Sequence, residues 1–576
     1  MNTLMSVLGK KWKIKNADKN ASLFTKLLSN RGLTTDSEIQ NFLYPDPEKD
    51  FHDPFLMNDM KLAVTRIGEA IEKSERIMIF GDYDVDGITS TAILMRCLTK
   101  LKANVSYRLP HRIEDGYGLR EKFVREFKRL DVKLIITVDN GISCANEVAT
   151  ANELGIDTIV TDHHTIPEIL PKAYATLHPK LPDSKYPFKD LTGAGVAFKL
   201  AEALFKTRLN DEKKAQQETE KLLDLACMGT IADVGELKGE NRAIVKKGLK
   251  TIENTRWPGL SSLNKSAGVS GKIDTHIVNF LLGPRLNAAG RMAHPSHALS
   301  LLLNDAEHSE LLAENLEKLN RKRQKLTEDL MKIADALAEP QKRDPAIIIQ
   351  HKDFHGGIIG LLAAKLVEKY SRPAIVMEKR GETFIGSCRS IPDINIFDTL
   401  SSAKDLFTHF GGHSAAAGFD LPKAKLNEFT KRIKAYLKSS VAPKSLSSTP
   451  TISIDCELSH DDISQKTVDV LKLFEPFGNG NPPPLFLCKN ISIRKYEKIG
   501  SDKKHLKILG EIKSSGINGA QRTSIIDCIA FKFGQFANKL RDGGKIDIVC
   551  ELEENVWRGN RKIQCKIIDF NTYKGI

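Results

Sequence analysis

Residues 76–101 read RIMIFGDYDVDGITSTAILMRCLTKL. A short apolar run comes first, and three carboxylates follow it at alternate positions, Asp82, Asp84 and Asp86. A segment with helical spacing then begins at TSTAILM. Apolar runs of this length are typical of buried strands, and the change of period after the acidic residues indicates a strand, a loop and a helix in succession. This unit predicts the start of an α/β domain.

Two later stretches have the same form, VKLIITVDNG at 132–141 and IDTIVTDHH at 156–164. Helical segments such as REKFVREFKRL separate them, and strands that alternate with helices predict a largely parallel sheet. Ligands of open α/β sheets bind outside the carboxyl ends of the strands. The pattern therefore predicts that one set of side chains lies in a single crevice: Asp82, Asp84, Asp86, Asp139, Asp162, His163 and His164.

Carboxylates at alternate positions of an extended segment share one side of the chain. Their mutual repulsion is relieved when cations lie among them, and mixed carboxylate and imidazole ligands suit Mn²⁺ or Mg²⁺. The alternative is that Asp86 caps the helix while the other acids are solvated, although one or two acids would suffice for capping. Asp233, in IADVG after an apolar helix, is open to both interpretations, as a further ligand or as a plain loop residue.

The rest of the chain changes character several times. Dense charge at helical spacing predicts long helices, a second α/β pattern contains the Gly-rich GGHSAAAG, and a Ser- and Pro-rich linker precedes short strands that predict a small β-barrel. The Gly-rich segment is either a tight turn or a place where backbone N–H groups approach a phosphate. The predicted organisation is an N-terminal helical segment (1–50), an α/β catalytic domain (51–297), connecting helices (298–340), a second α/β domain (341–440), and a linker with the barrel (441–576).

The composition is that of a globular protein, with 576 residues, 41% hydrophobic and 28% charged, and a net charge of +13. Residues 487–576 contain 18 Lys and Arg against 10 Asp and Glu, a net of +8, which favours a polyanionic partner for the barrel. The chain has no apolar run of ~20 residues and no signal-peptide pattern at its start, so we expect a cytoplasmic protein without a membrane span. The nine cysteines show no C-x-x-C spacing and are predicted to be buried, reduced thiols.

These blocks resemble the DHH phosphoesterase superfamily, whose name comes from the triplet seen here at 162–164. The chain is most similar to the superfamily's exonucleases that degrade single-stranded DNA from the 5′ end, and the similarity runs in order through nearly its whole length. The blocks that carry it include GDYDVDG, LPHRIEDGYGL, TVDNGIS, TDHHT, LTGAGVAFKL, GTIADV, GPRLNAAGRM, FHGGIIGLLAAKLVEKYSRPAIV, GSCRSIP, GGHSAAAG and FEPFGNGNPPPLF.

The resemblance implies two divalent metal ions, Mn²⁺ or Mg²⁺, at the acidic crevice. Their ligands would be Asp84, Asp86, Asp139, His163 and Asp233. Asp82, Asp162 and His164 would be ligands or supporting groups. The implied reaction is 5′→3′ hydrolysis of single-stranded DNA to 5′-mononucleotides, in DNA repair and recombination.

The resemblance also implies the groups that hold the substrate. A clamp for the 5′-phosphate would comprise Arg112, Arg285, Ser387 and Arg389, with His413 in the Gly-rich segment. The barrel resembles an OB-fold, a fold that binds single strands on aromatic platforms, for which the candidates are Tyr496, Phe531, Phe533 and Trp557. The implied partners are single-stranded DNA, a single-strand-binding protein and a helicase, with the enzyme itself a monomer.

Two alternative functions fit parts of the pattern. Superfamily members that act on short oligonucleotides, cyclic dinucleotides or pyrophosphate resemble only the first two α/β units, so residues 451–576 argue against that activity. A binding scaffold that has lost catalysis has no need for clustered like charges, so Asp84, Asp86, Asp139 and His163 argue against it.

Overall fold

The structure is a computed structural model that describes residues 6–16, 18, 20–45, 50–440, 450–515, 521–557 and 560–573. It divides into two compact units, one made of residues 1–46 and 448–576 and the other of residues 47–447. Among the residues described, no helix combines the length and the apolarity that a membrane span requires.

The first unit begins with a short strand and two helices, β1 (Lys11–Ile14), α1 (Leu23–Ser29) and α2 (Asp36–Leu43). Ser22 caps α1 by accepting a hydrogen bond from the Thr25 N–H. Thr35 and Glu38 form a reciprocal capping box at the start of α2. The helices lie where the helical patterns of the N-terminal segment predicted them, and β1 was not predicted.

The second unit contains a five-stranded sheet in the order β3-β2-β4-β5-β6, and every neighbouring pair is parallel. This confirms the predicted parallel sheet. The strands are β2 (Arg76–Phe80), β3 (Val105–Arg108), β4 (Val132–Val138), β5 (Asp157–Thr161) and β6 (Ala175–Leu177). The helices that accompany them are α3 (Met60–Glu72), α4 (Val85–Lys100), α5 (Glu121–Arg129) and α6 (Ala145–Glu153).

The helices that follow this sheet in the chain form a layer that packs on α4, on the side of α4 that faces away from the sheet. Two of these helices, α7 (Gly193–Arg208) and α9 (Leu223–Ala232), are apolar around most of their circumference, which is typical of helices in a core. A π-helical turn (Val278–Leu282) joins Ile277 to Gly283. The remaining helices are α8 (Glu212–Glu220), α10 (Gly239–Glu253), α11 (Pro258–Ser266), α12 (Thr275–Ile277), α13 (Gly283–Met292) and α14 (Ser296–Leu303).

A helix of 33 residues, α15 (Ala306–Ala338), leads to the second sheet and matches the predicted connector. That sheet has the order β10-β11-β9-β8-β7, in which only β7 and β8 are parallel. Its strands are β7 (Ile347–His351), β8 (Ala374–Arg380), β9 (Thr383–Arg389), β10 (His409–Gly412) and β11 (Ala416–Pro422). Its helices are α16 (Gly356–Tyr370), α17 (Ile396–Ser401) and α18 (Leu426–Ser440).

The C-terminal part returns to the first unit and forms the predicted barrel. Five strands close on one another in the order β14-β15-β16-β18-β17, because β17 also pairs with β14. The strand β12 (Thr451–Ile454) pairs in parallel with β1, at the other end of the chain. The other elements are β13 (Cys456–Glu457), α19 (Gln465–Phe474), β14 (Phe486–Ile499), β15 (His505–Ser515), β16 (Gln521–Ala530), β17 (Lys545–Trp557) and β18 (Asn560–Thr572).

Candidate active site

The acidic and imidazole side chains meet at the carboxyl edge of the parallel sheet. Asp82 follows β2, Asp139 follows β4, and 162–164 follow β5, and these three strands are neighbours. Asp139 has a positive φ of 60°, in the left-handed region that few non-glycine residues adopt. Backbone strain of this kind is concentrated at functional sites, where the surrounding structure enforces it.

At the start of α4, the acids Asp84 and Asp86 have different roles. Asp84 caps the helix by accepting hydrogen bonds from the N–H groups of Asp86 (3.0 Å) and Gly87 (3.2 Å). The Asp86 carboxylate is 1% exposed and accepts hydrogen bonds from the N–H groups of Gly193 (2.7 Å) and Ala194 (2.8 Å). The capping alternative, with Asp86 as the cap and the other acids solvated, is therefore wrong, since Asp84 is the cap and Asp82 and Asp86 are buried.

Two glycines allow the helices α7 and α9 to approach these acids. A Cβ on Gly193 would lie 2.7 Å from the Asp139 side chain. A Cβ on Gly229 would lie 2.6 Å from Asp86 Oδ1. The close approach brings the end of α9, which is capped by Asp233, to the sheet edge. This explains how an acid from a distant helix joins the strand-end residues.

His163 is the centre of the assembled cluster. Its Nε2 atom lies 3.1 Å from Asp139 Oδ1, 3.7 Å from Asp86 Oδ2 and 3.7 Å from Asp233 Oδ2. Three groups of ligand atoms within 4.8 Å of one another result, and Asp139 and His163 each belong to two of them. The groups are Asp139, His163 and His164; Asp86, His163 and Asp233; and Asp82, Asp84 and Asp139.

The electrostatics of the carboxylates fit divalent cations. Burial, and then the charge of Asp84, raise the pKa of Asp82 well above its usual range, and the buried Asp82 Oδ1 has no hydrogen-bond partner among the described residues. The same two causes raise the pKa of Asp86 to about 7. Burial and the charges of Asp86 and Asp84 raise the pKa of Asp233 to about 8. Carboxylates that repel one another in this way gain stability from cations that lie between them, and oxygen ligands with one imidazole suit Mn²⁺ and Mg²⁺.

Asp162 holds the histidine loop and does not belong to any of the three ligand groups of the described chain. It accepts hydrogen bonds from the N–H groups of Ile142 (2.9 Å), His163 (2.7 Å) and His164 (3.1 Å). Its Oδ1 atom is also 2.7 Å from His164 Nδ1. Burial opposes the charged form of both partners, but this hydrogen bond and the paired charges lower the pKa of Asp162 and raise that of His164 to about 9. Such a carboxylate orients ligating imidazoles.

Two residues that sequence reasoning missed support the same loop. The Tyr117 hydroxyl donates to the Asp139 carbonyl and lies 3.2 Å from His164 Nδ1. The fully buried His178 contacts the His164 carbonyl through Nε2, at 2.8 Å. Tyr117 lies within the LPHRIEDGYGL block, which could have identified it, whereas His178 has no comparable signal.

The second α/β domain completes the site. The segment GGHSAAAG forms the turn between β10 and β11, where the His413 N–H donates to the Ala416 carbonyl at 2.7 Å. The His413 ring stacks on His164, with a centroid distance of 5.4 Å, and its Nδ1 atom lies 2.9 Å from Thr165 Oγ1. The tight-turn interpretation is therefore correct for the backbone, and the turn also carries an imidazole into the site.

Three guanidinium groups gather beside the acids. Arg112 lies over the Tyr83 ring at 4.3 Å, and its buried Nη1 atom has no hydrogen-bond partner among the described residues. Arg389 donates to the Cys388 carbonyl at 2.7 Å and lies 3.4 Å from Ser387 Oγ. Arg291 donates to the Gly357 carbonyl at 3.0 Å. Burial, and then the charges of Arg112, Arg323 and Arg389, lower the pKa of Arg291 well below its usual range.

Arg291 was not predicted, whereas Arg285, six residues earlier, was predicted as part of the phosphate clamp. The structure pairs Arg285 Nε with Glu317 at 2.8 Å, and the Arg285 Nη1 atom donates to the Leu281 carbonyl. Arg285 therefore already has a carboxylate partner, whereas Arg291 donates to a backbone carbonyl and is subject to the charges of Arg112, Arg323 and Arg389 and of the Asp84 carboxylate.

The candidate platform residues of the barrel fall into different environments. Phe533 is 8% exposed and packs against Phe570 in the core, so its predicted role as a platform is wrong. Tyr496 is half-buried, and its hydroxyl donates to the Leu540 carbonyl. Phe531 is 47% exposed, with the His505 ring at 5.4 Å. The side chain of Trp557 lies outside the described residues.

Divalent cations are expected to bind more tightly as the pH rises through the range set by Asp86, about 7, and Asp233, about 8. Below these values the carboxyls hold protons that a cation must displace. For each proton displaced, a rise of one pH unit therefore increases the affinity for the cation by up to about tenfold. The metal-free protein should lose stability as the pH rises from about 4, the ordinary pKa of an aspartate, to these values, because carboxyls with a raised pKa bind protons more tightly in the folded state than in the unfolded state.

Titration calorimetry with Mn²⁺ in buffers of different ionisation enthalpy would count the released protons. Binding that is independent of pH, without proton release, would contradict the assignment of Asp86 and Asp233 as ligands.

Comparison with known proteins gives three family profiles that match in chain order. The DHH family N-terminal domain matches residues 76–230, the DHHA1 domain matches 343–439, and the RecJ OB domain matches 454–569. The single-stranded-DNA-specific exonuclease RecJ of Bacillus subtilis is 38% identical over 552 residues, which cover 95% of this chain and 67% of that protein.

Solved structures show the same similarity. The crystal structure of RecJ from Thermus thermophilus in complex with Mn²⁺ has a TM-score of 0.78 and 30% identity, and the match covers 96% of this chain and 76% of that one. The structure of that protein with Mg²⁺ has a TM-score of 0.72 and 29% identity, and covers 96% of this chain and 75% of that one. With the acids and imidazoles gathered at one sheet edge, the chain belongs to the RecJ family of single-stranded-DNA-specific exonucleases and is a metal-dependent exonuclease.

Proposed function

We propose that the protein hydrolyses single-stranded DNA in the 5′→3′ direction with two divalent metal ions and releases 5′-mononucleotides, in DNA repair and recombination. The observation that carries the proposal is the position of three guanidinium groups beside the acidic cluster, none of which forms an ion pair with a carboxylate of the described residues. A pocket that grips a phosphate next to the hydrolytic groups favours cleavage close to a chain end.

Sharing of ligands supports two ions. Asp139 belongs to one group with Asp82 and Asp84 and to another with His163, while His163 also belongs to the group with Asp86 and Asp233. Two such ions, when bound, would act as Lewis acids and lower the pKa of a water molecule that attacks phosphorus. The predicted roles of Asp84, Asp86, Asp139, His163 and Asp233 as ligands stand as part of this proposal, with Asp82 beside them.

His164 is proposed to hold a proton for the reaction. Its Nδ1 atom is engaged by Asp162, and this hydrogen bond and the charge of Asp162 raise the pKa of the imidazole against the effect of burial. Its Nε2 atom would then offer a proton to the oxygen that leaves phosphorus or to the phosphate itself. The stacked His413 brings a second imidazole from the other α/β domain to the same place.

The guanidinium pocket is proposed to select the 5′ end. Arg112, Arg291 and Arg389 with Ser387 offer forked donors that match phosphate geometry. A terminal phosphate carries about −1.5 to −2 charges at neutral pH, compared with one for an internal diester. A desolvated cationic pocket therefore favours the terminal group, and hydrolysis at the neighbouring diester would release one nucleotide.

The α/β domains and the barrel are proposed to have different functions. The two α/β domains would grip and hydrolyse the strand, while the basic barrel, with Phe531 exposed beside His505, would hold the single strand through phosphate contacts and stacking. A single-strand-binding protein and a helicase as partners, a monomeric state and a cytoplasmic location remain predictions that follow from this role.

Short oligonucleotides labelled at the 5′ or the 3′ end test the proposal. With Mn²⁺ or Mg²⁺, single-stranded DNA labelled at the 5′ end should release labelled mononucleotide at once, while the 3′-labelled strand shortens gradually, and chelation should stop both. Duplex DNA and RNA of the same sequence are the matched substrates for specificity. Immediate release of mononucleotide from the 3′ label instead would overturn the proposed direction.

A further inference from the structure

A π-helical turn of the catalytic domain exposes an aromatic side chain. Phe280 is the middle residue of the turn (Val278–Leu282) and is 61% exposed. The ring of His276, four residues earlier, lies against the Phe280 ring, with a centroid distance of 4.7 Å and an angle of 34° between the ring planes. π-Helical turns are rare and are found frequently at functional sites. The two rings therefore form an aromatic surface that faces solvent.

The turn lies next to the acidic cluster. A Cβ on Gly283, the first residue of α13, would lie 3.9 Å from the Cβ of Ala232, the residue before Asp233. Phe280 is three residues before Gly283, which corresponds to about 5 Å along a helix axis. The aromatic pair therefore borders the site on the side of Asp233.

A second apolar side chain is exposed at the same border. Val234 follows Asp233 and is 55% exposed. Its φ of 58° lies in the left-handed region, where a β-branched residue is an outlier, and such strain is concentrated at functional sites. Single exposed apolar residues are ordinary on protein surfaces. Two of them on elements that pack together, beside a cluster of ionisable groups, are more typical of a surface that contacts a ligand.

The helix α13 connects the turn with the guanidinium pocket. Near the end of this helix, a Cβ on Gly290 would lie 2.6 Å from the carbonyl oxygen of Tyr83, which lies between two of the acids in the sequence. Arg291 is the next residue, so the pocket is at this end of α13, and Phe280 is beyond the other end. The helix therefore spans the acidic cluster, with the pocket at one end and the aromatic pair at the other.

The substrate class of the family identifies the ligand for this surface. A single strand of DNA has unpaired bases, and every base has a π face on which an aromatic ring can stack without regard to sequence. A strand that crosses the acidic cluster from the guanidinium pocket continues toward Phe280. The ring is therefore placed to contact a base, and not a phosphate, of that strand.

We propose that Phe280, with His276 and Val234 beside it, is a stacking platform for a nucleobase of the bound single strand. The platform requires only that a single strand crosses the acidic cluster. Its position relative to the cut rests on the proposed function: with the 5′-phosphate in the guanidinium pocket, the stacked base lies on the 3′ side of the scissile diester. The contact is independent of sequence and adds affinity next to the hydrolytic groups.

Short oligonucleotides that each contain one abasic position test the platform. They carry a 5′-phosphate and a label at either end, and the dependence of the single-turnover rate on the concentration of the full chain, with Mn²⁺, gives Kd for each strand. One abasic position should raise Kd of the wild-type protein by roughly 5- to 150-fold. Phe280→Ala should raise Kd for the intact strand by a similar factor and be insensitive to that abasic position, because both changes remove the same contact.

Three further variants separate stacking from other effects. Phe280→Trp keeps an aromatic ring and should keep the wild-type sensitivity, whereas Phe280→Leu keeps apolar bulk without a ring and should show a smaller sensitivity. Leu130→Ala is the matched control, because Leu130 is 40% exposed and lies just before β4, at the edge of the sheet opposite the acids. It should leave every Kd unchanged.

Equal Kd values for wild type and Phe280→Ala on every strand would overturn the platform, and release of 5′-labelled mononucleotide in the same assay would still support the proposed function. Lengthening the strand at one end separates the two ideas further. A sensitive position that stays at a fixed distance from the 3′ end would support the platform and contradict only the proposed direction of hydrolysis.

Discussion

Asparagine in place of Asp139 is expected to reduce the rate of single-stranded DNA hydrolysis by roughly a thousand-fold. The Asp139 carboxylate belongs to two of the three ligand groups, so its loss removes a ligand from both of them. Metal ions supply several kcal/mol of transition-state stabilisation, and each 1.4 kcal/mol is about tenfold in rate. Single-turnover hydrolysis of a 5′-phosphorylated oligonucleotide with Mn²⁺ measures the effect.

Asparagine is the appropriate replacement because it tolerates the left-handed backbone of this position, at φ 60°, better than most residues. The matched control is Asp157→Asn, at the opposite end of the same sheet, where the carboxylate pairs with Arg66 at 2.6 Å. The control should keep wild-type activity, and both variants should keep single-strand binding, measured by fluorescence anisotropy. Hydrolysis by the Asp139 variant within tenfold of wild type would contradict the assignment of this site.

Alanine in place of Arg291 is expected to raise KM for a 5′-phosphorylated oligonucleotide by roughly 10- to 100-fold, and to change KM for a 5′-hydroxyl oligonucleotide far less. Hydrogen bonds to charged groups contribute about 1.5–3 kcal/mol, and Arg291 is a desolvated donor beside two other guanidinium groups. Steady-state kinetics with the two substrates separate the loss of phosphate binding from a general loss of activity.

Arg285→Ala is the control from the same helix. Its guanidinium pairs with Glu317, so its removal should lower Tm and leave the preference for a 5′-phosphate unchanged. Arg291→Lys retains the charge without the forked geometry and should show an intermediate KM. If Arg285→Ala abolishes the phosphate preference while Arg291→Ala retains it, the pocket has been assigned to the wrong face of the helix.

The strand-end residues of the site were predictable from sequence for a physical reason. Parallel strands all end at one edge of a sheet, so acids that follow separate apolar runs meet there whatever lies between the runs. Asp82, Asp139 and His163 are brought together in this way. The meeting of Asp233 with them required α7 and α9 to pack closely against α4, which depends on Gly193 and Gly229 and could not be derived from strand patterns.

The choice between Arg285 and Arg291 shows where sequence reasoning ends. Both belong to GPRLNAAGRM, and six residues of an α-helix place them about 120° apart around its axis. Their spacing does not reveal which side faces the acids. Gly290, the neighbour of Arg291, indicates the side of the helix that packs closely, because a Cβ on Gly290 would lie 2.6 Å from the Tyr83 carbonyl oxygen. A glycine next to an arginine can be recognised as a point of close helix packing only when the packing is already known.

The same limit applies to the barrel. Phe533 and Phe531 are two residues apart, yet one is in the core and the other is exposed. The sulfur atoms of Cys488 and Cys550, 62 residues apart in the chain, come within 3.9 Å of each other because the barrel closes, and local sequence patterns do not detect such a pair. Long-range strand pairing decides both outcomes.

The pairing of β1 with β12 joins residues 440 positions apart, Lys11 with Thr451. At roughly 5–20 residues per second, the ribosome needs roughly 20 to 90 seconds to make the partner of a strand that emerged at the start. During that time every residue of the larger unit is synthesised, while β1 has not yet been able to pair with β12. The exposed lysines at positions 11 and 13 are the kind of charge that keeps an unpaired edge from joining other nascent chains.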